Sequence, residues 1–305
     1  MERVIVTGAN GFIGRNLIRE LLNRNIDVTA LDITFGNELK SYANVQCISC
    51  ESKSIDEIYE EIKGYQYDCF FHLAWAATSG PNRADYESQL NNVKLVCDYV
   101  LLARRTGCKR FIYASSINEM ETYEYMQSDD IEPGGGYIYG TAKLAGHLMG
   151  ETVAYQNDIE FIPVIITNIY GAGENSARLI NTSIRKLLNR EHCSFTAGNQ
   201  MYDFIYVTDA VNSIVEISLK GKPFHRYYIG SGKPRPLKEF LLEMRDIVAP
   251  NEELGLGDIP MKGKNISYDQ FKINKVYEDT GYENKISFRE GIHMTMEYIR
   301  KEGRK

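Results

Sequence analysis

The chain has 305 residues, enough for one large α/β domain or for two lobes around a shared core. Its composition is 43% hydrophobic and 25% charged, no apolar stretch is long enough to span a membrane, and the first residues do not resemble a signal peptide. We therefore expect a cytoplasmic protein without a membrane partner. The net charge of −6 and the lack of a basic block argue against nucleic acid as a partner.

The opening segment predicts a strand, a glycine turn and a helix. Residues 3–7 form a short apolar run rich in β-branched side chains, and Gly8, Gly11 and Gly14 follow with the spacing Gly-x-x-Gly-x-x-Gly. A helical pattern begins at Phe12. This order is the context of a dinucleotide fingerprint, in which the glycines permit a tight turn and a close approach of backbone to pyrophosphate. The N–H groups at the helix N-terminus would bind the phosphates.

An acidic residue follows the second predicted strand. Asp32 comes directly after the apolar run 27–31, about 20 residues beyond the glycines, where a carboxylate would bind the ribose 2′-hydroxyl. Because this carboxylate would repel a 2′-phosphate, the sequence predicts NAD rather than NADP as the cofactor. The alternative is a glycine turn followed by a surface aspartate.

The chain then alternates between predicted strands and helices. We expect strands at 45–48, 67–74, 108–116 and 159–166, helices at 55–63, 86–106 and 139–156, and a loop at 128–136. This alternation predicts an α/β fold with a doubly wound, parallel Rossmann sheet. Ligands bind such sheets at the carboxyl ends of the strands, where the small residues 74–80 and the hydroxyls of Ser115 and Ser116 fall.

The less regular remainder predicts a smaller C-terminal α/β lobe for the substrate. We expect residues 1–170 to form the NAD-binding domain and 171–305 the substrate lobe, with the chain returning to the Rossmann domain around 200–220. The predicted elements are helices at 176–190, 209–219, 236–248 and 288–302, a strand at 226–230 and a loop at 255–263.

Six cysteines are scattered along the chain. Cys47 and Cys50 form a C-x-x-C pair, but no second pair or histidine cluster completes a zinc site, so no metal site is predicted. We expect reduced, partly buried thiols, with a redox role for the pair as the alternative.

Tyr139 and Lys143 are four residues apart and would share one face of a helix. An ammonium beside a phenol favours the phenolate and lowers the tyrosine pKa from about 10. Such a tyrosine can act as a general base towards an alcohol or as an acid towards a carbonyl. Ser116 would polarise the same substrate oxygen, and Lys143 can also bind the nicotinamide ribose. A Y-x-x-x-K spacing also arises by chance; Tyr137 is nearby, but its partner four residues on is Thr141.

Together these motifs resemble the extended short-chain dehydrogenases/reductases, in the NAD-dependent epimerase/dehydratase group that acts on nucleotide sugars. The matching segments extend over nearly the full length and are residues 7–14, 31–32, 71–74, 92–93, 111–116, 139–143, 168–173, 203–209 and 228–232. They are highly specific for the superfamily and less specific for the reaction.

The resemblance implies roles for individual residues. The implied cofactor-binding residues are Gly8, Asn10, Gly11, Phe12, Ile13, Gly14, Asp32, Ile33, Leu73, Ala74, Trp75, Asn92, Ala114, Tyr139, Lys143 and Ile166. The implied catalytic residues are Ser116, Tyr139 and Lys143, and the implied substrate-binding residues are Thr78, Ser116, Asn168 and Tyr202. For Asn92 and Asn168 the alternative is a satisfied buried amide. The resemblance also implies a homodimer formed through the helices at 86–106 and 140–156.

Several positions depart from the family pattern. Tyr202 and the pair 165–166 stand where relatives often carry a phosphate-binding arginine, and His147 replaces a glutamate. Residues 50–52 replace an acid-containing stretch that would contact adenine. A buried diphosphate without arginine is unfavourable, so either another cation substitutes or the substrate is not a typical nucleotide sugar. The candidate cations, each with solvated surface charge as the alternative, are Arg178, Arg185, Arg226, Lys233 and Arg235.

The segment after Ser116 bears on the reaction. Dehydratases of the group follow the hydroxyl residue with an Asp-Glu pair, whereas here residues 117–118 are Ile-Asn. A 4,6-dehydratase is therefore disfavoured, with Glu119 and Glu121 left as displaced acids. The expected function is an NAD-dependent nucleotide-sugar 4-epimerase, and the alternative is an NAD(P)H-dependent 4-ketoreductase that uses the same residues. A non-catalytic nucleotide-binding regulator is disfavoured because both Tyr139 and Lys143 are present.

Overall fold

The computed structural model describes residues 1–127, 135–261 and 265–303. Residues 128–134 of the predicted loop at 128–136 and residues 262–263 of the loop predicted at 255–263 lie outside the described residues. The loop prediction is wrong at residues 135–136, which begin a helix. Within the described ranges, no helix combines the length and apolar character needed to cross a membrane.

Strands and helices alternate through the first half of the chain. In order they are β1 (Arg3–Thr7), α1 (Phe12–Asn23), β2 (Asp27–Asp32), α2 (Asn37–Ser41), β3 (Val45–Ser49), α3 (Ile55–Ile62), β4 (Cys69–His72), α4 (Tyr86–Arg105), β5 (Arg110–Ser116), α5 (Asn118–Met126), α6 (Gly135–Gln156) and β6 (Glu160–Ile166). A short 3-10 helix, Pro81–Ala84, precedes α4. The strands and helices predicted for this half are confirmed with small shifts of their ends, whereas α2 and α5 were not predicted.

The second half has shorter strands. Its elements are β7 (Asn168–Tyr170), α7 (Leu179–Leu188), β8 (Cys193–Phe195), β9 (Met201–Tyr202), β10 (Phe204–Tyr206), α8 (Val207–Lys220), β11 (Tyr227–Ile229), β12 (Arg235–Pro236), α9 (Leu237–Val248), β13 (Leu254–Leu256), α10 (Lys275–Thr280) and α11 (Phe288–Glu302). The predicted loop at 255–263 is wrong at its start, because β13 pairs in parallel with β8. A three-residue strand that depends on a partner about sixty residues away leaves no local pattern.

Seven parallel strands form the central sheet in the order β11-β6-β5-β4-β1-β2-β3. Consecutive residues of the central strands, such as Phe70 and Phe71, are both fully buried. Because neighbouring side chains of a strand point to opposite faces, helices must cover both faces of the sheet. The predicted doubly wound α/β fold is thereby confirmed. The strand order reverses beside β1, which opens a crevice at the carboxyl ends of β1 and β4.

The chain returns to the sheet late, because β11 pairs with β6 and α8 packs against α1. Two buried aspartates hold this return in place. The Asp203 carboxylate accepts hydrogen bonds from the Tyr228 hydroxyl (2.5 Å) and from two backbone N–H groups after β11. The Asp209 carboxylate accepts hydrogen bonds from the Tyr282 hydroxyl (2.8 Å) and from the backbone of 285–286. The division of the chain near residue 170 stays a prediction.

Candidate active site

The glycine turn between β1 and α1 brings three backbone segments into contact. Gly8 has φ +66°, and a Cβ added there would lie 2.7 Å from the Ala74 backbone nitrogen, at the end of β4. A Cβ on Gly14 would lie 2.2 Å from the Gly8 carbonyl oxygen. Only glycine fits at these two positions, and the first N–H groups of α1 are free for an anion because a helix cannot satisfy them internally.

Asp32 ends β2 at the edge of this turn. Its Oδ2 accepts a hydrogen bond from the Asn10 backbone N–H (2.8 Å), and its Oδ1 accepts one from the Ile33 N–H (2.7 Å). Each carboxylate oxygen can accept a further bond. The backbone therefore fixes the Asp32 carboxylate, which can still accept hydrogen bonds from the two hydroxyls of a ribose.

A cleft of about 1340 Å³ runs along the carboxyl ends of the strands. It is lined by nearly all of the residues predicted for the site: Gly8, Asn10, Gly11, Phe12, Ile13, Gly14, Asp32, Ile33, Leu73, Ala74, Trp75, Thr78, Asn92, Ala114, Ser116, Tyr139, Lys143, Ile166 and Asn168. Tyr202 is the exception. Its ring stacks on that of Phe204, with centroids 5.6 Å apart, and it does not line the cleft.

Helix α4 supports the loop that follows β4. The Asn92 side chain accepts a hydrogen bond from the Ala76 N–H (2.9 Å) and donates one to the Ala76 carbonyl (3.0 Å). Buried Gln89 accepts a hydrogen bond from the Trp75 indole (2.9 Å) and donates one to the Ala77 carbonyl (3.2 Å). Gln89 was not predicted, although two amides at i and i+3 on one face of a helix are a signal that could have identified it.

Lys143 is 4% exposed and its ammonium has two partners. It donates a hydrogen bond to the Ala114 carbonyl (2.8 Å) and lies 3.7 Å from the centroid of the Trp75 ring. Burial lowers the pKa of Lys143 to about 7, because the charged form loses its hydration.

Tyr139 is 8% exposed, and burial raises the pKa of its phenol. The charges of Arg83 and Arg178 and a hydrogen bond with Ser116 oppose this rise in the pKa. The Ser116 hydroxyl also donates a hydrogen bond to Asn118 Oδ1 (3.0 Å) and accepts one from the Asn118 N–H (3.2 Å). The predicted catalytic hydroxyls therefore meet at the end of β5.

The two displaced acids do not reach the cleft. Glu119 is 1% exposed, and its Oε2 lies 2.9 Å from His147 Nδ1. Glu121 is half-buried, and neither carboxylate lines the cleft. Since α5 begins directly after β5, Glu119 faces α6 instead. Glu119 is therefore the partner of His147 on α6.

Among the five candidate cations, Arg178 alone lines the cleft, at the N-terminus of α7. Arg185 donates hydrogen bonds to the Glu174 carbonyl, and Arg235 pairs with Glu243. The remaining two, Arg226 and Lys233, are exposed elsewhere.

A cation that the sequence did not indicate also lines the cleft. The Arg83 guanidinium lies 4.2 Å from the centroid of the Tyr139 ring. No spacing relates residues 83 and 139, so only the tertiary structure reveals this contact.

The cysteines are not paired in disulfides. All six are free thiols, and burial raises the pKa of both Cys47 and Cys50. In the parts of the chain that are described, no group of histidine, cysteine and acidic side chains is arranged to hold a metal ion.

Comparisons with known proteins agree with this geometry. A family model described as "NAD dependent epimerase/dehydratase family" matches residues 4–230. CDP-abequose synthase of Salmonella typhimurium is 25% identical over 301 residues, which cover 95% of this chain and 96% of the relative. dTDP-4-dehydro-6-deoxyglucose reductase of Escherichia coli is 24% identical, covering 97% of each chain. The crystal structure of UDP-glucose 4-epimerase from Thermotoga maritima superposes with a TM-score of 0.79 at 22% identity, covering 98% of this chain and 99% of the other.

Proposed function

Because the chain belongs to the NAD-dependent epimerase/dehydratase family, we propose that it is a nucleotide-sugar 4-epimerase. NAD is the cofactor of the family, and the cleft fits it: the glycine turn leaves room for a pyrophosphate, and Asp32 offers its carboxylate to a ribose. The proposal rests on which side chains line the cleft at the end of β5. Tyr139 and Ser116 reach the cleft, whereas Glu119 and Glu121 do not.

With Tyr139 and Ser116 in the cleft, a proton can be transferred at one sugar oxygen. Elimination of water would need acidic side chains, and Glu119 and Glu121 do not reach the cleft. Ser116 holds the C4 hydroxyl, and Tyr139 takes its proton as the carbonyl forms. The chemistry that bound NAD supplies is reversible acceptance of hydride from C4. Tyr139 then returns the proton to the same oxygen after the sugar has presented its other face. Lys143, which lines the same cleft, binds the ribose next to the nicotinamide.

Arg178 is our proposed partner for the substrate diphosphate. It lines the cleft at the N-terminus of α7, where the helix itself also favours an anion. It would therefore take over the role of the arginines that positions 165, 166 and 202 lack.

The direct test is a panel of UDP-, CDP-, GDP- and dTDP-sugars followed by NMR. A 4-epimer formed without added cofactor is the expected result, because the cycle consumes no NAD. Product only with added NAD(P)H would instead identify a 4-ketoreductase. That second function is favoured by the similarity to the reductase from Escherichia coli. If no sugar reacts under any condition, the enzyme assignment is wrong and a nucleotide-binding regulator remains.

The choice of NAD depends on the charge of Asp32. We expect Asp32→Asn to narrow the preference for NAD over NADP by about tenfold, since a charge-assisted hydrogen bond is replaced by a neutral one. Nucleotide affinities measured by equilibrium dialysis test this. Asp27→Asn is the control, because Asp27 pairs with Arg3 at the opposite end of the same strand. An unchanged preference in Asp32→Asn would remove Asp32 from the ribose site.

We further propose that α4 and α6 pair with their copies in a homodimer. These helices pack against each other and expose apolar side chains, among them Leu90 (65% exposed) and Leu148 (53% exposed). The double variant Leu90→Glu, Leu148→Glu is expected to be monomeric in sedimentation velocity. Leu242→Glu, on α9, should leave the dimer intact. A wild-type monomer at micromolar concentration would contradict the proposal.

A further inference from the structure

A short 3-10 helix and its hydrogen bonds hold the backbone of Arg83 near Tyr139. The 3-10 helix Pro81–Ala84 begins after Gly80, which has φ +66°, and the Arg83 N–H donates a hydrogen bond to the Gly80 carbonyl (3.2 Å). Buried Gln89, which also holds Trp75 and Ala77, donates to the Arg83 carbonyl (3.5 Å). The same side chain thus contacts both Trp75 and the backbone of Arg83, two residues whose side chains lie against the phenol ring.

The Arg83 guanidinium makes no close ion pair among the described residues, but its charge acts on Glu121 of α5: burial raises the pKa of that carboxyl, and Arg83 opposes the rise. Its charged group lies over the Tyr139 ring, 4.2 Å from the centroid, and its Nε is buried without a hydrogen bond within the described ranges. An arginine left unpaired at a cleft is unfavourable unless its charge is used, since burying an uncompensated polar group costs free energy. A cation over a phenol ring interacts far more strongly with the phenolate than with the neutral phenol.

Lys143, the cation that the Y-x-x-x-K spacing assigns to this task, is engaged elsewhere. Its ammonium is held by the Ala114 carbonyl and the face of Trp75. Trp75 packs close to Gly146 on α6, where an added Cβ would lie 3.4 Å from Trp75 Cη2. The indole thus lies beneath the ammonium, its ring centroid 6.3 Å from that of Tyr139.

We propose that Arg83 is a positioning residue for the proton transfer: it fixes the Tyr139 ring and stabilises the phenolate from which the proton is exchanged with the sugar hydroxyl. This rests on the proposed role of Tyr139 in the epimerase reaction. The proton passes between the sugar oxygen and the phenolate oxygen, and Arg83 keeps its own proton throughout because a guanidinium does not titrate in this range.

The other charged groups around Tyr139 and Arg83 are Arg178, Glu119, Glu121 and Lys143. Arg178 at the start of α7 also lowers the pKa of the phenol, and Glu119 on α5 raises it. Lys143 on α6 lies one helical turn away. Burial raises the pKa of Tyr139, and among these groups the charge of Arg83 lowers that pKa most. Removing the charge of Arg83 is therefore expected to raise the pKa of Tyr139, so that the phenolate becomes harder to form.

The test compares the pH dependence of kcat in wild type, Arg83→Met and Arg83→Lys. In wild type, kcat rises with pH as the phenolate forms. We expect Arg83→Met to shift this rise to higher pH by about one pH unit or more, so that kcat near pH 7 falls about tenfold and recovers as the pH rises. Arg83→Lys keeps the charge and should retain most of the wild-type profile. Arg83→Gln provides the same comparison if the methionine variant does not fold.

Arg3→Met is the matched control, because Arg3 lies 4.1 Å from the Tyr65 ring, outside the cleft. Its profile should equal that of the wild type. A uniform loss at every pH in Arg83→Met, or an unshifted profile, would overturn the inference. The ultraviolet phenolate titration gives the same shift without substrate, with the Tyr139 contribution taken as the difference from Tyr139→Phe. Full activity in Tyr139→Phe would instead refute the proposed function itself.

Discussion

Tyr139→Phe is expected to lower turnover by roughly 10³-fold, the usual size of a general acid–base contribution. The substitution removes one oxygen and leaves the ring in contact with Trp75 and Arg83, so its aromatic contacts persist. We therefore expect the variant to fold and to retain NAD, while the NMR assay on the accepted sugar shows almost no 4-epimer.

Tyr137→Phe is the control that the chain itself offers. Tyr137 lies two residues earlier on α6, and its ring packs on Tyr125, with centroids 4.9 Å apart. It does not line the cleft, so activity should stay near the wild-type value. Comparable losses in both variants would mean that the helix, rather than the phenol, is what the reaction needs.

Gly14→Ala is expected to abolish NAD binding and to destabilise the fold. The new Cβ would lie 2.2 Å from the Gly8 carbonyl oxygen and 2.7 Å from the Ala9 carbonyl oxygen, both of them backbone atoms that cannot rotate away. Helix α1 must shift away from the turn, and the N–H groups that would bind the pyrophosphate shift with it. We expect the free energy of unfolding to fall by about 1–3 kcal/mol, as in other overpacked interiors.

Gly64→Ala is the matched control, since a Cβ there meets no atom within 4 Å and its φ is not positive. Urea unfolding measures the stability of both variants, and the nucleotide released on acid denaturation measures retained NAD. If Gly14→Ala unfolded at the wild-type urea concentration and still held NAD, the close contact between α1 and the turn would not be needed for the cofactor.

The departure at position 147 has a simple electrostatic account. The resemblance places a glutamate where this chain has the buried His147, and Glu119 lies 2.9 Å from its imidazole. This contact directs Glu119 to α6 and away from the cleft. It therefore links the loss of the elimination acids to the packing of α5 on α6.

The sequence by itself determined those features that depend on near neighbours in the chain. The glycine turn, Asp32 and the pairing of Tyr139 with Lys143 on one helix face follow from the strand–turn–helix order and from the 3.6-residue helical period, which are local geometry. The parallel sheet followed from the alternation of apolar strands and helices, because a buried parallel strand must be apolar on both faces.

Only the tertiary structure decided which distant side chains meet. Helix α5 escaped prediction because the side chains it buries, Glu119, Thr122 and Tyr125, have helical spacing but are not an apolar set. The contact of Arg83 with Tyr139 and the placement of Tyr202 outside the cleft depend on how loops and lobes pack, which no spacing records. The motif that predicts a cofactor site could therefore be recognised in the sequence, whereas the charges around the phenol come from packing between residues far apart in the chain.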